Sequence, residues 1–62
     1  MRIVRKITPY HAPQMGENSE LWYTIEPGEV GMMVDAMNSV YGLFLFSGAR
    51  VVACMEMFEV VQ

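Results

Sequence analysis

Val40-Tyr41-Gly42-Leu43-Phe44-Leu45-Phe46-Ser47-Gly48-Ala49-Arg50-Val51-Val52-Ala53-Cys54-Met55 decides the fold. Within it Tyr41, Leu43 and Leu45 alternate with Val40, Phe44 and Phe46, a period of two that belongs to strands. Ser47-Gly48 is a tight hairpin signal, and Ala49–Met55 reads as the return strand. Both faces of Val40–Phe46 are apolar. A strand buried on both sides is hard to satisfy in so small a domain. The reading therefore expects one face to be covered by the segment Thr8–Glu20 or by another chain.

The same rhythm runs outward from the hairpin. Asn38-Ser39 marks a turn before it, and Val30–Met37 is the preceding strand. Helix has its one foothold there, weakened by glycines at 28 and 31. Pro27-Gly28 fits the central positions of a type II turn, where proline presets the first φ and glycine accepts a positive second φ. Leu21–Ile25 is a compact strand carrying Trp22 and Tyr23. Thr8–Glu20 reads as a loop, with Pro9, Pro13, Gly16, Asn18 and Ser19. Met1–Ile7 is an N-terminal strand. After the hairpin, Glu56–Phe58 reads as one turn of 3₁₀ helix and Glu59–Val61 as a short last strand. The expectation is all-β: a small five- to six-stranded barrel with a strongly bent antiparallel sheet, residues 21–62 forming its core.

Size limits what else the chain is. It has 62 residues, enough for a single domain. A domain of this size buries only about 60% of the surface of its unfolded chain. Disulfides and metals are the usual staples. Cys54 is the sole cysteine and His11 the sole histidine, so neither an internal disulfide nor a Cys/His zinc site is available. Apolar residues make up 53% and charged residues 18%, which excludes intrinsic disorder and leaves packing or association as the source of stability.

The net charge is −3. Arg2, Arg5 and Lys6 stand in the first six positions. From Ile7 onward one arginine, Arg50, meets seven acids, a balance of −6. Phosphate neutralisation supplies most nucleic-acid affinity, so this field opposes nucleic acid. The most apolar stretch is broken by Ser47, Gly48 and Arg50, too early for a spanning helix, and no signal-peptide pattern opens the chain. The expected setting is a reducing cytoplasm, with no membrane partner.

At Gly28-Glu29-Val30-Gly31-Met32-Met33-Val34-Asp35-Ala36 the glycines stand three apart, with apolar residues at 30, 33 and 36. This segment resembles the G-x-x-G-x-V-x-x-V stretch of SH3-like small barrels of the KOW and Tudor type. The resemblance continues through Tyr41–Phe46, Arg50–Met55 and Met57–Val61, about two thirds of the chain. The closing strand is similar to that of short SH3-like proteins encoded by bacteriophages. The resemblance implies an SH3-like barrel and a viral source, with the host cytoplasm or the virion as its place. KOW modules that touch RNA carry bases around the first glycine loop. Here Glu26, Glu29 and Asp35 stand there, so RNA binding does not carry over. Gly31 is expected to let its strand bend or bulge.

No catalytic set is legible. His11 sits in a Pro-flanked loop with no nucleophile or acid in recognisable relation to it. Cys54 lies in an apolar run where a free thiol behaves as a small hydrophobe. The acids show no metal-ligand spacing, and no cofactor motif occurs. A solvated acidic rim is the plain reading of the carboxylates.

Two features stand above this background. Six methionines follow Met1, and thioethers serve both as core fillers and at adaptable binding surfaces. Met32 and Met33 must point to opposite faces of a strand, as must Trp22 and Tyr23. The expected function is a non-catalytic protein–protein interaction or structural module. Trp22, Tyr23, Met32, Met33 and Tyr41 would meet a protein partner or a second copy of the chain. The alternative is a nucleic-acid-binding barrel using Arg2, Arg5, Lys6 and Arg50 on phosphate with stacking aromatics.

Overall fold

A computed structural model describes residues 1–9, 13–16 and 22–62. Among these described residues seven strands follow one another: β1 (Arg2–Lys6), β2 (Gln14–Met15), β3 (Trp22–Tyr23), β4 (Val30–Ala36), β5 (Tyr41–Phe46), β6 (Ala49–Cys54) and β7 (Phe58–Val60). A 3₁₀ turn, Met55–Met57, joins the last two. The main sheet has the order β6-β5-β4-β1-β7, with every neighbouring pair antiparallel. The first strand thus lies inside the sheet, between β4 and β7.

The all-β antiparallel reading holds, but the sheet is open rather than a closed barrel. Closure would require β6 to pair with β7. The outer edge of β6 is instead met at Val51 by Gly16. This departs from the expected structureless Thr8–Glu20 loop as well. Gln14 and Met15 pair with Tyr23 and Trp22 in a two-stranded ribbon beside β6. Trp22-Tyr23 falls within the expected strand Leu21–Ile25, whereas Gln14-Met15 is too short to show any periodicity, so the sequence carried no signal for it.

Local chemistry explains the turns. Phe46 pairs with Ala49, so Ser47-Gly48 is a two-residue loop. Both residues have positive φ, 50° and 80°. That is the type I′ pattern, whose twist matches its flanking strands. Gly28 has φ 87°, as the Pro-Gly turn demands. The Glu29 N–H donates to the Glu26 carbonyl across that turn at 3.0 Å.

The core sits on one face of the sheet. Phe44, Phe46, Val51, Ala53, Val4 and Phe58 are joined there by Ile25 and Met57. The three phenylalanine rings form its centre. The Phe44 and Phe58 centroids are 4.3 Å apart, and those of Phe46 and Phe58 are 5.5 Å apart. Gly31 acts here, though it does not carry the bulge. Its pairing with Val4 is regular, and the bulge falls later, between Met33 and Asp35. Gly31 passes directly against the Phe46 ring, where a side chain has no room.

Candidate interaction surface

Of the residues expected to meet a partner, those with described side chains do not form one patch. Tyr23 is half-buried and packs against the core. Its hydroxyl donates to Glu29 Oε2 at 2.6 Å and lies 3.1 Å from Ser47 Oγ. A phenol has one proton, so the serine hydroxyl is the donor in the second bond. The bond to Glu29 holds the Tyr23 pKa above its ordinary value, because ionisation would destroy it; the Ser47 bond acts in the opposite direction. Glu29 Oε1 accepts from the Glu26 N–H at 3.2 Å. Tyr23 thereby ties the Pro27-Gly28 turn to the tip of the β5–β6 hairpin. Trp22 is placed by its backbone opposite Met15, and its side chain lies outside the described residues. So do Tyr10, His11, Glu17 and Glu20.

Met32 and Met33 divide as alternation requires. Met33 packs against the core, and Met32 is half-buried on the opposite face. There it stands between Ile3 on β1 and Leu45 on β5. Leu43 and Tyr41 follow on that face at steps of two along β5, with Val52 opposite Leu43 on β6. The second apolar face read from Val40–Phe46 is therefore real. Leu43 is 7% exposed and, among the described residues, lies outside the cluster centred on the phenylalanine rings.

One exposed end of this face is the β4–β5 turn, where Met37 and Tyr41 pair at the ends of the two strands and Val40 adjoins them. Met37, Val40 and Tyr41 are 57%, 47% and 48% exposed. The backbone beneath them is tightly held. Asn38 Oδ1 accepts from the Val40 and Tyr41 N–H groups at 2.8 and 2.7 Å. The Met37 N–H donates to the Tyr41 carbonyl at 2.9 Å, and the Met55 N–H to the Val40 carbonyl at 2.8 Å. Asp35 and Glu56 are exposed beside it. Arg50 lies across from Leu45, about 13 Å along the strand from Tyr41. Sequence reading named Tyr41 as a partner contact and did not name Met37 or Val40 as such. The signal available was Asn38, whose side chain readily closes an Asx turn.

The basic residues are dispersed. Arg5 pairs with Glu59 at 3.2 Å across the β1–β7 ladder. Lys6 is 1% exposed, and its Nζ donates to the Thr8 carbonyl at 2.9 Å. Arg2 and Arg50 are exposed at separate places, opposite Met33 and Leu45. Cys54 is half-buried and packs against the core. Among the described residues no three His, Cys, Asp or Glu side chains gather as a metal site. No helix is long and apolar enough to cross a membrane. Compared with models of protein families, with curated proteins and with solved structures, the chain matches none.

Proposed function

We propose that this chain is a non-catalytic interaction module that grips another polypeptide through the β4–β5 turn and the adjoining sheet face. The observation that carries this reading is the combination of exposure and rigidity at Met37, Val40 and Tyr41. With the backbone already fixed, covering these side chains costs only their own rotamer entropy and no backbone entropy. Asp35 and Glu56 beside the turn favour a partner segment whose apolar residues are flanked by lysine or arginine. The strand order, with β1 between β4 and β7 and a 3₁₀ turn feeding β7, supports the SH3-like reading of the chain. The likeness of its closing strand to phage-encoded proteins supports a viral accessory or virion-associated role. The nucleic-acid alternative is disfavoured, because Arg5 is engaged by Glu59 and Lys6 is buried.

Two synthetic peptides test this reading. Both carry the same apolar core, one with lysine flanks and one with glutamate flanks. The basic peptide should shift the NMR signals of Met37, Val40 and Tyr41, and Tyr41→Ser should weaken its binding about tenfold, equivalent to about 1.4 kcal/mol. If neither peptide moves those signals, the surface is not a docking site.

A further inference from the structure

Among the described residues the main sheet ends at β7. The β1–β7 ladder fixes which backbone groups look outward. The Ile7 N–H donates to the Met57 carbonyl at 2.9 Å, and the Val61 N–H donates to the Ile3 carbonyl at 2.9 Å. Residues 57, 59 and 61 therefore face β1, while Phe58 and Val60 direct their polar groups away from it. The Phe58 N–H is used within the 3₁₀ turn, on the Met55 carbonyl. What remains at the edge is the Phe58 carbonyl and both backbone groups of Val60. Among the described residues no strand lies beyond β7.

Of the usual protections of an edge strand, β7 has its shortness, three residues, and lacks the others. Phe58–Val60 holds no proline and no lysine. Its one charge, Glu59, is turned to the sheet face and paired with Arg5. Val60 and Val61 are 51% and 37% exposed, and both are β-branched. The opposite edge of the sheet, β6, is met by Gly16 at Val51.

We propose that a second copy of this chain adds to the β7 edge, antiparallel, about a two-fold axis through Val60. The inference rests on the reading of the chain as an association module but uses a different surface. In this register the Val60 N–H of each copy donates to the Val60 carbonyl of the other. The two Val60 side chains meet, and Glu59 falls opposite Val61 of the second copy. An axis through Glu59 fails twice. It would set two carboxylates against each other, and the backbone groups of Glu59 already face β1. Head-to-tail growth onto β6 fails because Gly16 occupies that edge, so the pairing closes at two copies.

The test combines mass and amide exchange on the intact chain. From micromolar to millimolar protein, the mass from light scattering should climb from 7.1 kDa toward twice that value. The Val60 amide should gain protection from hydrogen exchange over the same range. Val60→Pro removes the outward N–H without touching the β1 ladder, so it should keep the fold and abolish both effects. Val60→Lys, which retains the N–H, should weaken them by charge repulsion. A mass fixed at 7.1 kDa with an unprotected Val60 amide overturns the proposal. So does association that survives Val60→Pro, which would place the contact elsewhere. Protection of Val60 only by a foreign strand-forming peptide also overturns the second copy as occupant. Val60→Pro should leave binding of the lysine-flanked peptide intact, and Tyr41→Ser should leave the β7 pairing intact, so the two readings fail separately.

Discussion

A Cβ added to Gly31 would stand 2.6 Å from two ring carbons of Phe46 and 2.7 Å from the Leu45 carbonyl oxygen. Phe46 is fully buried, and the carbonyl belongs to the neighbouring strand. Neither can retreat without opening the β4–β5 pair. Gly31→Ala is therefore an overpacking mutation, expected to cost about 3 kcal/mol. A domain of this length holds roughly 3–9 kcal/mol in all. Thermal unfolding should begin many degrees lower; an unchanged midpoint would show that Gly31 is not held against the ring.

Tyr23 should report on Glu29. The hydrogen bond to Glu29 raises the Tyr23 pKa above its ordinary 10.0. A raised folded-state pKa means that the folded chain holds the phenol proton more tightly than the unfolded chain. The resulting stabilisation is complete below pH 10 and is lost as the pH climbs through the folded value. Glu29→Gln removes the negative acceptor, so the Tyr23 ring titration followed by NMR should move down toward 10. A titration that does not move would mean the contact is not formed in solution.

The strand pattern was legible because Tyr41–Phe46 is a short apolar run, buried on both faces, closed by Ser47-Gly48, a turn that leaves little choice of register. The Asn38-Ser39 and Pro27-Gly28 turns marked the ends of β4 equally well. What could not be read was long-range pairing. Nothing in Gln14-Met15-Gly16 announces that it will lie beside β6, because a bridge at Val51 is a tertiary event without local periodicity. The open sheet follows from that same contact. The candidate site was half legible for a similar reason. Alternation separates Met32 from Met33, but only the ladder with Phe44 shows that Met33 is the one on the core side. Lys6 looked like a surface cation because charge carries no sign of its burial against β7.

Thr8 offers a stabilising change. Its Oγ1 is buried without a hydrogen-bond partner among the described residues. A buried unsatisfied hydroxyl costs about 1–3 kcal/mol. Valine has the same shape without the hydroxyl, and the bias away from the helical region that Pro9 sets on residue 8 suits it. Thr8→Val should raise the midpoint of denaturant unfolding with the slope unchanged, by about 1 kcal/mol. A loss of stability would show that the hydroxyl has a partner after all.

Asn38 separates rigidity from composition at the proposed docking turn. Its Oδ1 takes two backbone N–H groups, those of Val40 and Tyr41. Asn38→Ala leaves both donors to water and keeps Met37, Val40 and Tyr41 in place as residues. The turn is exposed, so the fold should lose only about 1 kcal/mol. Binding of the lysine-flanked peptide should fall further than that, because the three side chains must then be ordered at the moment of contact. Asn38→Asp keeps the acceptor and should restore both stability and binding, while adding a charge that favours the basic peptide. Calorimetry on the three proteins with one peptide reads the comparison directly. Equal affinity in all three would mean that apolar composition alone, and not the locked backbone, makes this turn a binding surface.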